Sequence, residues 1–210
     1  MAGKWAAGAY LPCRKVNRRG CGGWEAILLR FSLLNEAINI PGCWLLIAES
    51  GPFIMIAIGS DHGGVELKDF LLEKLRSKGL EVEDLGTKGG ESVDYPDFGR
   101  LVALKVAQRE AERGILLCTN GIGMSILANK FPGIRAALVF DLRGARMSRE
   151  HNNSNILVLG GGVVDKTLAE QILEIWLETP FAGGRHQRRL DKITQVERDL
   201  GTSLEKEKNR

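Results

Sequence analysis

The sequence predicts a three-layer α/β/α sandwich around a five-stranded parallel sheet. From residue 55 onward, short apolar runs alternate with longer segments whose apolar residues recur at helical spacing. The apolar runs are nearly continuous, which is typical of parallel strands covered by helices on both faces. Because crossovers between parallel strands are right-handed, all strand-to-helix loops are expected at one edge of the sheet.

Five runs are predicted to be strands, at 54–59, 80–85, 114–118, 134–140 and 155–159. The helix after the first strand has four leucines on one face, Leu67, Leu71, Leu72 and Leu75. The next helix begins at Tyr95 and has three residues on its apolar side, Leu101, Val102 and Leu104.

Four more helices complete the alternation. Two are expected at 124–130 and 142–150, and a charged one closes the domain at 188–200. Another is marked by apolar residues spaced at i, i+4, i+7 and i+8, namely Leu168, Ile172, Ile175 and Trp176.

Residues 1–54 are predicted to be an extension outside the domain, either disordered or the product of a start upstream of Met55. They contain six Lys or Arg, three Asp or Glu and three of the four cysteines. Residues 55–210 carry 23 charges of each sign, so the excess positive charge lies in the extension. The predicted domain spans 55–200, and 201–210 is expected to be a frayed tail.

The composition excludes several classes of protein. A domain without net charge gives no reason to expect nucleic-acid binding. No apolar run reaches the roughly 18 residues that a membrane-spanning helix needs. The cysteine spacings match neither a metal motif nor a disulfide framework, which favours a reducing, cytoplasmic setting.

The third predicted strand places a thiol at the edge where ligands bind in parallel sheets. Cys118 ends this strand and is followed by five residues that form a glycine-rich loop, Thr119, Asn120, Gly121, Ile122 and Gly123. The backbone N–H groups of such a loop can bind an anion, and a thiolate there could act as a base or a nucleophile. The alternative is a buried cysteine before an ordinary tight turn.

The first strand delivers a carboxylate and an imidazole to the same edge. Asp61 and His62 lie in a turn flanked by glycines, with Gly59 before and Gly63 after them. A functional pair is one interpretation. The other is an Asp that caps the following helix beside a packed His.

His151 and Asn152 follow the helix that precedes the fifth strand. A His favoured by the helix dipole, with an Asn as the C-cap, would explain this pair structurally. The position also puts His151 at the opposite edge of its own sheet from Cys118. A chemical role for His151 would therefore require a second subunit or a displaced helix.

Arg185 and Arg189 are four residues apart, after Gly183 and Gly184, and would share one face at the start of a helix. Two guanidinium groups at a helix N-terminus can hold a phosphate. A solvated basic face is the alternative interpretation.

Two familiar site types do not fit. A phosphatase that attacks phosphorus through a thiolate needs an Arg six positions after the Cys, and that position is Met124. A dinucleotide fingerprint needs a glycine where Asp61 stands.

Together these motifs resemble the family of type B ribose-5-phosphate isomerases, which includes galactose-6-phosphate isomerase subunits. The resemblance rests on five segments, 59–64, 94–96, 118–125, 149–152 and 183–189, and runs from about Met55 to Asp199. It implies a Rossmann-like aldose–ketose isomerase without metal or cofactor. It also implies a homodimer or homotetramer whose sites are shared between subunits.

The resemblance implies a role for each candidate residue. Cys118 corresponds to the base that removes the C2 proton, and His151 to the acid that opens the sugar ring. Residues 119–123 correspond to the loop that holds the enediolate oxygens. The remaining candidates correspond to substrate contacts, Asp61, His62 and Asn152, and to phosphate ligands, Arg185 and Arg189.

Two departures leave the substrate open. The family usually has Gly-Thr-Gly after the cysteine, where this chain has Thr119, Asn120 and Gly121, and an Arg where Gly162 stands. Arg143 or Arg146 could compensate for the missing Arg. The leading hypothesis is interconversion of ribose 5-phosphate and ribulose 5-phosphate. The alternatives are isomerisation of another phosphosugar, such as a hexose 6-phosphate, a sugar-phosphate-binding module without catalysis, and a redox-sensing thiol protein.

Overall fold

The computed structural model describes residues 55–208, with side chains through residue 201. The predicted extension at 1–54 lies outside the described residues. Five parallel strands form one sheet in the order β2-β1-β3-β5-β4. The strands are β1 (Met55–Ser60), β2 (Glu81–Asp84), β3 (Arg113–Cys118), β4 (Ala136–Leu138) and β5 (Ile156–Gly160).

Six helices alternate with these strands and follow the last one. They are α1 (Val65–Ser77), α2 (Tyr95–Ala107), α3 (Ile122–Ala128), α4 (Leu142–Glu150), α5 (Lys166–Glu178) and α6 (Arg185–Lys208). The sandwich predicted from the apolar runs is confirmed. None of the helices formed by the described residues combines the length and apolar character that a membrane crossing needs.

Two hydrophobic clusters fill the space on the two faces of the sheet. One includes the leucine face of α1 and the fully buried Trp176 of α5. The other includes Val102 of α2, Met124 of α3 and Cys118. Alternate residues of β3 enter opposite clusters, as the two-residue period of a strand requires. The core therefore holds Cys118 at a fixed position at the end of a central strand.

Several predicted boundaries shift. The edge strand β4 is only three residues long, within the predicted 134–140. Helix α3 begins at Ile122, two residues early, because Gly121 adopts a left-handed φ of 80° and turns the chain at once. Helix α6 begins at Arg185 and continues to Lys208, so the helix extends through most of the predicted tail.

The predicted apolar side of α2 is partly wrong. Leu101 is 38% exposed, whereas the buried stripe contains Gly99, Val102, Ala103 and Val106. These four positions follow the three- and four-residue spacing of a helix face, and Leu101 lies outside that stripe.

A buried ion pair joins α1 to β2. Lys68 is 1% exposed at its side chain, and its Nζ lies 2.7 Å from Asp69 Oδ1 and 2.8 Å from Asp84 Oδ2. Burial alone would lower the pKa of Lys68, but hydrogen bonds and charges from the two carboxylates raise it overall. Burial alone would raise the pKa of Asp84. Hydrogen bonds from Lys68 and the Gly86 N–H, together with the charge of Lys68, lower it overall.

Candidate active site

The loops after β1, β3 and β5 are tied together at the carboxyl edge of the sheet. The Asp61 N–H donates to Leu117 O at 3.3 Å. The Gly161 N–H donates to Cys118 O at 2.8 Å, and the Gly162 N–H donates to Thr119 O at 2.9 Å. Because these contacts run between backbones, the three loops form one continuous surface, here called the floor of the site.

Glycine is required where two of these loops touch. A Cβ on Gly63 would overlap the hydroxyl of Thr119 and lie 3.1 Å from its backbone nitrogen. The turn that carries Asp61 and His62 therefore packs directly on the loop that follows Cys118. This is the convergence that the sequence predicts for residues at the ends of these two strands.

The Cys118 thiol lies in this floor and is 5% exposed. Its Sγ accepts a hydrogen bond from the Gly121 N–H at 3.1 Å. This contact holds the sulfur at the carboxyl edge of the sheet, beside the loop that begins α3.

The loop after Cys118, whose residues 119–120 depart from the family pattern, is stabilised by the side chain of Asn120. Asn120 Oδ1 accepts a hydrogen bond from the Ile122 N–H at 3.0 Å, at the start of α3. Thr119 and Asn120 are both exposed at this edge. Asn120 therefore shapes the turn, while Gly121 supplies the N–H that contacts Cys118.

Asp61 and His62 face different neighbours. Asp61 is 6% exposed and its Oδ1 accepts from the Gly63 N–H at 2.9 Å, so it closes the turn rather than capping α1, whose N-cap is Gly64. The ring of His62 is exposed, and its Nδ1 lies 3.2 Å from both the backbone N and O of Val93. His62 thus borders the loop between β2 and α2.

A second group of candidates gathers at the start of α6. The rings of His151 and His186 are stacked, with centroids 4.1 Å apart and planes 15° apart. Arg185 Nε donates to His186 Nε2 at 3.3 Å, and the Ala182 N–H donates to Glu150 O at 2.9 Å. These contacts dock the segment before α6 on the end of α4 and bring His151 and Arg185 together.

His186 is the residue in this group to which sequence analysis assigned no role. It is 6% exposed, and burial lowers its pKa, as do the positive charges of His151, Arg185 and Arg189, with a partial offset from Glu150. A neutral His186 can accept the hydrogen bond from Arg185 and support the His151 ring. Its position between Arg185 and Arg189 is the signal in the sequence that could have indicated this role.

Asn152 and the cap of α4 complete this group. Helix α4 has His151 as its C-cap residue, where an Asn was predicted. Asn153, two residues further on, is left-handed with a φ of 45°. Arg135 Nε donates to the carbonyl oxygen of Asn152 at 3.0 Å. The side chain of Asn152 is exposed beside His151.

The two groups lie at opposite edges of the sheet within one protomer. Cys118 pairs with Gly160 at the end of β5, whereas His151 precedes the first residue of that strand, Ile156. Four steps along β5 alone span about 13 Å at the usual rise of a strand. A single protomer therefore does not bring Cys118 and His151 within reach of one small substrate.

Within the part of the chain that the structure describes, no three His, Cys, Asp or Glu residues cluster closely enough to hold a metal ion.

A parallel sheet that gathers a thiol and close-packed loops at its carboxyl edge defines an α/β enzyme acting on a small polar molecule. The sequence profile of the Ribose/Galactose Isomerase family matches residues 56–193. The chain belongs to this family, as the motifs predicted.

Individual relatives agree with this assignment. Ribose-5-phosphate isomerase B of Escherichia coli is 46% identical over 142 residues, which is 68% of this chain and 95% of that protein. The structure of Clostridium thermocellum ribose-5-phosphate isomerase B is 52% identical with a TM-score of 0.69, covering 70% of this chain and 99% of that one.

A third relative has a sugar phosphate in its structure. Ribose-5-phosphate isomerase B from Mycoplasma genitalium, solved with bound ribulose-5-phosphate, is 41% identical with a TM-score of 0.67. The match covers 69% of this chain and 97% of that one.

Proposed function

We propose that the protein interconverts ribose 5-phosphate and ribulose 5-phosphate. The observation that carries this proposal is the buried Cys118 thiol at the end of β3, with the Gly121 N–H donating to its sulfur. Family membership and the ribulose-5-phosphate bound to the Mycoplasma genitalium relative support the substrate.

In the proposed reaction, His151 donates a proton to the ring oxygen as the sugar ring opens. The O1 hydroxyl releases its proton to water and becomes the aldehyde oxygen. The Cys118 thiolate then removes the proton from C2, and the electron pair of that bond moves to form an enediolate. The proton returns to C1, the hydroxyl proton of O2 passes to O1, and O2 becomes the ketone oxygen. No oxidant or reductant is needed, because two protons and one electron pair are redistributed within the sugar.

The loop and the arginines have separate tasks in this proposal. Backbone N–H groups of residues 119–123 stabilise the negative charge on the enediolate oxygens, where one such donor is commonly worth about 3 kcal/mol. Arg185 and Arg189 bind the phosphate, and Asp61, His62 and Asn152 contact the sugar hydroxyls. Departures from the family at Asn120 and Gly162 make the sugar specificity the part most in need of an experiment.

A second copy of the chain completes the site in this proposal. Cys118 and His151 lie at opposite edges of one protomer, so two protomers must meet with these edges together. Six exposed, large apolar side chains follow strands at the carboxyl edge and can form such a contact: Tyr95, Ile122, Ile126, Phe140, Leu142 and Val163. A homodimer is the smallest assembly that satisfies this geometry, and a homotetramer would contain two such pairs.

A cytoplasmic location is part of the proposal as well. The substrate is a charged phosphosugar, and the mechanism needs Cys118 as a free thiol, which a reducing compartment maintains.

The substrate assignment is tested with a panel of aldose phosphates supplied to the full-length protein without added metal. We expect turnover of ribose 5-phosphate with a higher kcat/KM than for hexose 6-phosphates. A higher kcat/KM for a hexose 6-phosphate would mean that this sugar, and not ribose 5-phosphate, is the substrate. Tight binding with no turnover of any sugar would favour the binding module.

A further inference from the structure

A cleft of about 830 Å³ opens at the amino edge of the sheet, outside the proposed catalytic residues. It begins beside Met55 and is bordered by the loops before β3, β4 and β5. Four of its lining residues are arginines, Arg109, Arg113, Arg135 and Arg149, and two are glutamates, Glu110 and Glu112. Its volume lies within the range of small-molecule sites.

Arg149 is the buried member of this group. It is 8% exposed, and its Nη1 donates to Asn153 Oδ1 at 2.9 Å and to Ser154 O at 2.6 Å. Its Nε is fully buried and, within residues 55–201, has no hydrogen-bond partner. Across the same residues, no carboxylate lies at ion-pair distance from Arg149, although arginines are rarely so buried without an acidic partner.

The neighbouring arginines increase this unbalanced charge. Arg113 and Arg149 both lie over the ring of Trp176, with their Cζ atoms 5.4 and 5.7 Å from its centroid. Burial, followed by the charges of Arg113 and Arg135, lowers the pKa of Arg149 to about 10, so it remains protonated at neutral pH.

Only Arg113 has a carboxylate at ion-pair distance, although the charge of Glu197, which binds the Gly133 N–H, also acts on Arg135. Arg113 Nε is 3.7 Å from Glu112 Oε1, whereas Arg135 and Arg149 bond only to neutral oxygens among the described residues. The three arginines of the cluster, Arg113, Arg135 and Arg149, therefore face two nearby carboxylates, Glu112 and Glu197, and keep an excess of positive charge.

We propose that this cleft binds a phosphate monoester or inorganic phosphate as a second anion site, separate from the catalytic one. A phosphate carries nearly two negative charges at neutral pH, so the excess positive charge of the cluster attracts it. Guanidinium groups bind phosphate oxygens in paired hydrogen bonds. The apolar rim of the cleft, which includes Met55, Val106 and Pro132, can cover the carbon part of an ester.

The test separates this site from the catalytic one. Full-length Arg185→Gln/Arg189→Gln removes the proposed catalytic phosphate ligands and serves as the background. Inorganic phosphate is titrated while the melting temperature and the heat of binding are measured, with sodium chloride at equal ionic strength as the reference. We expect saturable binding to persist in this background.

Arg113→Gln is then added, because Arg113 lies at the cleft and outside the proposed catalytic machinery. We expect at least about a tenfold loss of phosphate affinity, equivalent to 1.4 kcal/mol. Arg76→Gln, an exposed arginine on α1, is the matched control and should have no effect. Absence of phosphate binding in the background, or binding that Arg113→Gln leaves unchanged, would overturn the proposal.

Isomerase activity is measured separately in the Arg113→Gln single variant. Wild-type kcat in that variant, together with the lost phosphate affinity, would show that the second site is independent of the catalytic one. Phosphate binding to the cleft in a protein that proves inactive on sugars would leave this site intact and contradict only the proposed function. Comparing inorganic phosphate with ribose 5-phosphate in the background variant distinguishes the free anion from an ester.

Discussion

Replacing Cys118 by Ala is expected to lower kcat for the isomerisation by about 10²- to 10⁴-fold, the contribution typical of a positioned general base. KM is expected to change much less, because the proposed phosphate ligands on α6 are untouched. Cys118→Ser is expected to be almost as slow, since a hydroxyl loses its proton far less readily than a thiol. Initial rates with ribose 5-phosphate measure both variants.

Controls for this experiment exist in the same chain. Cys13→Ala removes a thiol outside the predicted domain and should retain wild-type turnover. Circular dichroism and the melting temperature establish that Cys118→Ala is folded, since the side chain contributes to a core cluster. Wild-type kcat in folded Cys118→Ala would show that another group removes the C2 proton.

Replacing Lys68 by Met is expected to cost about 3–5 kcal/mol of unfolding free energy, because Asp84 would remain buried without its main partner. For a chain of this size, that loss lowers the melting temperature by about 10 °C. Lys78→Met, at the C-cap that directly follows the same helix, is the matched control. Its partner Glu174 is 2.7 Å away, but both side chains are about 40% exposed, so little change is expected.

The stability difference between wild type and Lys68→Met should also depend on pH. The lowered pKa of Asp84 stabilises the folded state above the unfolded carboxyl pKa of about 4, and this is lost as pH falls. The raised pKa of Lys68 stabilises the folded state below the unfolded lysine pKa of about 10.4. That stabilisation is lost as pH rises through the folded pKa. We expect the largest difference between these limits. Equal melting temperatures for Lys68→Met and Lys78→Met would refute the role of the pair.

Local pattern was sufficient to predict the architecture. The apolar runs and leucine spacings gave five strands in the right places, and helix α4 has the predicted bounds, Leu142–Glu150. The predictions were wrong where tertiary contacts decide which face of a helix is buried. Leu101 appeared to belong to the apolar side of α2, but packing against the sheet favours the neighbouring stripe with Val102 and Val106.

The two edges of the candidate site were also predictable, because topology places every strand end. Cys118 follows a strand and His151 precedes one, so their separation follows from a parallel sheet. The stacking of His186 on His151 was not predictable, because it joins residues 35 positions apart through a docked segment. The cluster of Arg113, Arg135 and Arg149 likewise joins a strand, a loop and a helix that meet only in the folded chain.

The claim that each catalytic site combines two protomers is tested most directly by subunit complementation. Cys118→Ala and His151→Ala are each expected to be inactive, and the two are mixed after reversible dissociation. Random reassociation makes about half of the dimers mixed, each with one intact site, so about a quarter of wild-type activity should return. Mixed dimers that form but recover no activity would contradict a shared site and with it the proposed pairing of Cys118 and His151.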